Sequence, residues 1–302
     1  DIVSIATPPH VHRAQAVGVA EGAHLVRVDP DDLRHLDVRL AALGPDGSSF
    51  FASRRLQGLE ELSMVGPAMP GFRAEDVWEG ATFAKLRSLT MEQVALEPAP
   101  ARRLPRRVVQ GLSVLRLRGV PLGPESIEHL CRALAPEHPS VLEVAGTRLE
   151  DALGAKLAAS PVFGRLSELH LDGAGPRTLR ALMFSLVPDG LLALGLGGAP
   201  AEGVAELIKL QLPVLAELRL RGVGGRLPGV HSGTLPALRA LDLADARLDP
   251  SAPWVADGRL LADLEALDCG GCMGTGEVAA RIAHGTMPNL SFLRASDLGG
   301  DG

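Results

Sequence analysis

Apolar residues recur along this chain with two alternating periods. In LSVLRLRGVPL, from Leu112, leucines fall at the first, fourth and sixth positions. Successive side chains of an extended segment point to opposite faces, so the fourth and sixth share one face of a short strand. The same spacing returns in LSELHLDGAGP from Leu166, LAELRLRGVGG from Leu215 and LRALDLADARL from Leu238. Between these segments the period changes. Ile127, Leu130, Cys131 and Leu134 stand at offsets 0, 3, 4 and 7, as do Leu179, Leu182, Met183 and Leu186, and Val204, Leu207 and Ile208 begin the same stripe. That is the spacing of a helix with one buried face. Each repeat therefore reads as strand, turn, helix, turn, with Cys131 in the buried stripe.

Extended in both directions, the register has first positions at Leu33, Leu59, Leu86, Leu112, Pro139, Leu166, Leu191, Leu215, Leu238, Leu264 and Leu290. The fourth position is leucine in every repeat, from Leu36 to Leu293, and the sixth is apolar or small throughout. One such repeat cannot bury both a strand face and a helix stripe. Stacking in register does so, with a parallel sheet on one side, helices on the other, and curvature that puts the narrower strands inside. Residues 33–302 read as an array of about eleven repeats. Residues 1–32 do not fit the register and read as an N-terminal cap or degenerate repeat. The proline-rich LDPSAPWVADG, from Leu248, predicts one 3₁₀ turn on the outer side of its repeat.

The repeated L-x-x-L-x-L resembles the leucine-rich repeat family over roughly residues 33–302, and the repeat length is similar to that of its ribonuclease-inhibitor-like and bacterial members. The resemblance implies an α/β leucine-rich repeat solenoid, a horseshoe with the parallel β-sheet on its concave face and helices and 3₁₀ turns on its convex face. It also implies a non-catalytic scaffold that binds a protein partner. In the family the ninth position is commonly asparagine, whose amide satisfies backbone groups in the turn. Here it holds Ala41, Pro67, Val94, Val120, Thr147, Ala174, Ala199, Val223, Ala246, Cys272 and Leu298, and Asn289 is the only asparagine in the chain. The turn groups must then pair with backbone or water, and the solenoid is expected to be irregular.

Composition narrows the function. The formal net charge of −6 argues against a dedicated nucleic-acid binder. No apolar run approaches the roughly 18 residues needed to span a bilayer, and no signal peptide is evident. Three cysteines do not make a disulfide framework, so a cytoplasmic location is expected. The basic residues are nearly all arginine, which points to a GC-rich, bacterial source. The chain opens on Asp1 without a methionine and reads as processed.

Several motifs carry possible chemistry and a blander reading beside it. Cys269 and Cys272 form a C-x-x-C pair, but they fall at positions six and nine, directed into the core, and a zinc site would need two further ligands. The nearby His284 belongs to the outer helix. GLGGAP, Gly195–Pro200, stands between strand and helix as a dinucleotide fingerprint does, yet Pro200 replaces the glycine needed for close helix packing. His10 and His12 lack partner ligands. Arg102, Arg103, Arg106 and Arg107 form a basic outer cluster without the aromatics that stack single-stranded bases. No nucleophile–base set or enclosed carboxylate pair is apparent, so no enzyme, cofactor or metal site is expected.

Positions three, five and seven point from the strands to the concave face. They supply the candidate partner-binding residues Arg116, Arg118, Glu143, His170, Asp172, Arg219, Arg221, Asp242, Asp268, Phe292 and Arg294. Parallel register puts Arg116 beside Glu143 and Arg219 beside Asp242, while Gly195 and Gly197 leave a bare floor. Two readings fit: ion pairs on a solvated sheet, or a charged groove that accepts a partner's side chain or helix. Two further classes stay open. One is the substrate-recognition region of a larger enzyme or effector; the other is self-association through the C-terminal end, where DLGGDG follows a strand with no capping helix.

Overall fold

Alternating burial at positions four and six requires an extended segment in every repeat, and a computed structural model of the chain has one in each. It describes residues 33–40, 51, 56–66, 77–78, 83–94, 104–134, 139–146, 149–186, 188–224, 232–246, 258–272 and 287–294. The segment 1–32 with His10 and His12, the cluster members Arg102 and Arg103, residues 247–257 and His284 lie outside the described residues.

The chain forms two compact units, Asp1–Thr147 and Arg148–Gly302. In the first, β1 (His35–Arg39), β2 (Glu61–Val65), β3 (Ser88–Glu92), β4 (Val114–Arg118) and β5 (Val141–Ala145) lie parallel in chain order. In the second, β6 (Glu168–Leu171), β7 (Ala193–Gly195), β8 (Glu217–Arg219), β9 (Ala240–Asp242), β10 (Ala266–Asp268) and β11 (Phe292–Arg294) do the same. Like positions face each other: Leu115 pairs with Leu89 and Leu142, and Leu218 with Leu194 and Leu241. The position-four leucines from Leu36 to Leu267 are 0–2% exposed. Each fully buried leucine contributes roughly 1.5–3 kcal/mol, and this repeated term holds each stack together.

Helices cover the other side of the core. The first unit has α1 (Arg106–Gly111) and α2 (Pro124–Ala133); the second has α3 (Asp151–Ala158), α4 (Pro176–Ser185), α5 (Ala201–Ile208) and α6 (Gly258–Asp263). Short 3₁₀ turns span Pro161–Arg165 and Pro188–Gly190. Pro124 and Pro176 open their helices, where a missing N–H costs nothing. The buried stripes differ from the predicted ones by a rotation. Ser126, Ile127 and Leu130 are buried in α2 while Cys131 is half-exposed, and Thr178, Leu179 and Leu182 are buried in α4 while Met183 is half-exposed. A polar residue one turn into each helix has taken the place the pattern gave to sulfur. The repeat that contains LDPSAPWVADG ends in the α-helix α6; its Arg, Leu and Ala are strong helix formers.

The described turns solve the missing-asparagine problem largely with backbone. Every described residue with a left-handed φ sits at position eight: Gly66, Gln93, Gly119, Gly146, Gly173, Gly198, Gly222, Asp245 and Gly271. In seven of these the N–H donates to the position-seven carbonyl of the next repeat within the same unit. Examples are Gly66 to Glu92 (2.8 Å) and Gly119 to Ala145 (2.7 Å) in the first unit, and Gly173 to Gly197 (2.6 Å) and Gly222 to Ala244 (2.7 Å) in the second. The N–H of position nine closes the turn onto position six, as from Ala199 to Leu196 (3.2 Å) and Ala246 to Leu243 (3.0 Å). A positive φ at the third residue of such a turn is the type II geometry, which favours glycine. At Gly173 a Cβ would meet nothing within 4 Å, so Gly173→Ala should cost only the backbone term, about 1–2 kcal/mol. Gln93→Gly, which relieves a non-glycine φ of 53°, should instead raise the midpoint of urea unfolding.

Adjacent helices are tied by a cap that reaches across repeats. Asp151, at the start of α3, accepts the N–H groups of Arg177 (3.0 Å) and Thr178 (2.9 Å) at the start of α4, together with the Thr178 hydroxyl (2.9 Å). These are N–H donors that α4 cannot satisfy internally. Burial pushes the Asp151 carboxyl upward, but the Arg177 and Thr178 donors and the Arg177 charge outweigh it and hold it below its ordinary value. A carboxyl depressed on folding stabilises the fold above its unfolded pKa, about 3.9, and that contribution disappears as pH falls through the folded value. Asp151→Ala should therefore lower stability by about 1–2 kcal/mol near neutrality. Urea midpoints measured from pH 6 downward should converge with wild type as the native carboxyl protonates.

Candidate functional site

In the first unit the strands bring three predicted site residues into one closed cluster. Arg116 and Glu143 are register partners on β4 and β5, with the Arg116 Nε 3.4 Å from Glu143 Oε2. Arg118 holds the same carboxylate with two bonds, Nε to Oε1 at 2.6 Å and Nη2 to Oε2 at 2.9 Å. It also lies 3.9 Å from Glu92. The bond to Glu143 raises the Arg118 guanidinium above its ordinary value, against the opposing effect of burial. Glu143 is only 8% exposed. A buried carboxylate gripped by a bidentate arginine is a structural clamp, so this cluster points its best donors into the sheet.

In the second unit the bare floor predicted at Gly195 and Gly197 is filled. A Cβ on Gly195 would collide with His170 Nδ1, and one on Gly197 would come within 2.8 Å of Asp172 Oδ1. The glycines are slots into which the neighbouring strand's side chains lie, and His170 is buried as a result.

Further along, position five reads Arg219, Asp242, Asp268, Arg294 across β8 to β11. The register neighbours Arg219 and Asp242 do not pair. Arg219 hydrogen-bonds Glu217 on its own strand. Asp242 Oδ1 accepts the Ala244 N–H (3.0 Å), and Asp268 Oδ1 accepts the Gly270 N–H (2.9 Å). The other carboxylate oxygens face arginines at longer range: Arg221 to Asp242 at 3.9 Å and to Asp268 at 3.8 Å, and Arg294 to Asp268 at 3.7 Å. These separations are too long for hydrogen bonds. The two aspartates are thus fixed to backbone, while the side chains of Arg219, Arg221 and Arg294 stand 49%, 53% and 61% exposed. Phe292 is exposed beside Arg294 on the same face of β11.

The remaining motifs are absorbed by the fold. Cys269 and Cys272 are buried, and burial raises both thiols, Cys272 to about 11. A thiol with that pKa is almost entirely protonated at neutral pH and is a poor nucleophile. The Cys272 Sγ donates to the Leu243 carbonyl of the preceding repeat (2.7 Å), a single sulfur rung in the place of an asparagine. In GLGGAP the N–H groups of Leu196, Gly198 and Ala199 bond to Arg219, Arg221 and Leu196 carbonyls, which leaves none of the three to cradle a phosphate. Arg106 and Arg107 are exposed at the start of α1. Among the described residues no group of three His, Cys, Asp or Glu could hold a metal ion, and no helix is long and apolar enough to cross a membrane.

Sequence reasoning missed the position-eight glycines as a system, although seven of them were visible, and it missed the Asp151 cap, whose partners lie in the next repeat. It also gave Glu217 no role, yet its carboxylate holds the Arg219 guanidinium along its own strand.

No family model matches the chain, and neither does any curated protein sequence. Solved structures do. A chain in the crystal structure of the yeast Rad7–Elc1 complex is similar at 16% identity and a TM-score of 0.62, over 86% of this chain and 69% of that one. A leucine-rich repeat protein of Leptospira interrogans matches at 16% identity and a TM-score of 0.41, over 88% and 79%. An internalin from Listeria monocytogenes matches at 13% and 0.44, over 87% and 67%. The in-register parallel strands, the leucine at the fourth position of every repeat and the Rad7–Elc1 likeness define the class of protein. The chain has the α/β leucine-rich repeat solenoid fold.

Proposed function

We propose that the protein is a non-catalytic scaffold that binds a protein partner on the strand face of its second unit, with Arg219, Arg221, Arg294 and Phe292 as the contact residues. The observation that carries this reading is the unequal state of the charges there. The aspartates spend oxygens on backbone N–H groups, whereas Arg221 and Arg294 meet them only at 3.7–3.9 Å and keep their fork of donors unspent. Arginine presents planar, paired donors to carboxylates and is enriched among residues that dominate protein interfaces. The partner is accordingly a protein with acidic side chains. The similar yeast chain comes from a two-protein complex, which accords with this role. Cys269 and Cys272, buried and outside any disulfide, accord with a reducing, cytoplasmic setting.

The test is capture of partners from lysate, compared across variants whose circular dichroism matches wild type. Arg221→Glu with Arg294→Glu should weaken retention of the partner at least tenfold, on the order of 1.4 kcal/mol. Arg132→Glu, an exposed charge on α2, should leave it unchanged. Retention by the double variant, or equal loss with Arg132→Glu, would contradict the assignment.

A further inference from the structure

The outer faces of α4 and α5 carry opposite charges. α4 (PRTLRALMFS) contains no acidic residue, and Arg177, Arg180 and Phe184 stand exposed on it. Their i, i+3, i+7 spacing places them in one stripe. Phe184, 86% exposed, is the most open large apolar side chain among the described residues. On α5 the exposed charged residues are Glu202 and Glu206, and the exposed Lys209 follows its last residue. Glu206 pairs with Lys209, while Arg180 and Glu202 have no side-chain partner among the described residues. The two repeats keep one offset in strand and helix alike. Leu169 on β6 pairs with Leu194 on β7, and the helical bond from Leu179 N–H to Gly175 is matched by the one from Val204 N–H to Pro200. Arg177 is thus level with Glu202 and Phe184 with Lys209, and Arg180 lies one residue, about 1.5 Å, from the height of Glu206.

We propose that this two-helix face is a homodimer interface, in which α4 of each copy lies on α5 of the other about a twofold axis parallel to the helices and midway between them. Such an axis exchanges the two helices across the interface and leaves height unchanged, so each side chain meets the level residue of the other helix. Arg177 then faces Glu202 of the second copy, Arg180 faces Glu206, and Phe184 faces Lys209, whose ammonium can lie over the ring. Each contact occurs twice. The charges select both the occupant and the axis. A twofold axis across the helices would set α4 on α4 and α5 on α5, and like charges brought together are costly. The parallel axis pairs every exposed arginine of α4 with a glutamate of α5, and a twofold arrangement closes on itself. Helices and strands lie on opposite sides of the core, so this pairing leaves the strand face of each copy open, and the dimer offers two partner sites at once.

The experiment is sedimentation equilibrium of the 302-residue chain, without any partner, over a concentration series. Wild type should move from 31.6 kDa toward twice that mass as concentration rises. Arg180→Glu and Glu206→Arg, each with circular dichroism matching wild type, should each weaken the dimer by roughly tenfold or more, because each sets like charges across the axis. Mixed in equal amounts, the two variants should dimerise with each other about as well as wild type, since both cross-axis pairs are then opposite in charge. Phe184→Ser should weaken the dimer several-fold with the fold unchanged. Recovery in the mixture separates a lost contact from a lost fold. Wild type that stays monomeric at every concentration, a mass that grows beyond the dimer, single variants that dimerise like wild type, or a mixture no better than either variant alone would overturn the proposal.

Discussion

Replacing Leu169 by alanine is expected to destabilise the second unit by about 3 kcal/mol, whereas Leu293→Ala should cost under about 1 kcal/mol. Both are position-four leucines in the same register, but Leu169 is fully buried on β6 and Leu293 is 43% exposed on β11. At position 169 the substitution removes buried methyl groups and leaves a void that the strands on a fixed ladder cannot close. At position 293 half the side chain already meets water, and no cavity forms. Urea unfolding of the two variants gives the difference directly. Equal costs would mean that the repeats do not share one continuous core within the unit.

Gly154→Ala is expected to destabilise by about 2 kcal/mol, although alanine in a helix normally gains about 1 kcal/mol over glycine. Gly154 lies in α3, where a Cβ would strike the Thr178 Oγ1 and come within 3.2 Å of both Thr178 Cγ2 and Leu149 Cδ2. Thr178 is 1% exposed and β-branched, so rotating its hydroxyl away brings its methyl into the same space. The hydroxyl would also lose its bonds to the Asp151 carbonyl (3.1 Å) and carboxylate (2.9 Å). A double-mutant cycle with Thr178→Ser should show favourable coupling, because removing the methyl opens a rotamer. A stabilising Gly154→Ala would mean that α3 and α4 do not pack this closely.

How far the sequence revealed this fold depends on how local each determinant is. The strand register was legible because leucine at position four answers to burial within its own repeat, and in-register stacking then aligns Leu115 with Leu89 and Leu142 without further information. The helical stripes were legible only to within a rotation. Ser126 and Thr178 are buried by neighbouring elements, and for Thr178 the partner is Asp151, 27 residues away. No helical period contains that contact.

The turn was read only in part: its polar groups pair with backbone, as expected without asparagine, but the residue that makes this possible was not identified. Attention to an asparagine at position nine hid the glycine at position eight, whose φ makes a backbone ladder sufficient. In the candidate site the register correctly set Arg116 opposite Glu143. It also set Arg219 opposite Asp242, but the two form no ion pair, because residues two apart on one strand face are also neighbours, and Glu217 took the guanidinium while backbone N–H took the aspartate. The glycine slot under His170 was unreadable, because an absent side chain on one strand shows only as space filled from the next.

The claim most exposed to test is that the strand face of the second unit receives the partner. Hydrogen exchange of the protein alone and in complex with its captured partner measures this directly. The account predicts slowed exchange in residues 217–222, 240–246 and 266–272, the strand ends and turns that carry Arg219, Arg221, Asp242 and Asp268, with α4 and α5 unchanged. Protection confined to the outer faces of α4 and α5, with those turns unaltered, would contradict it.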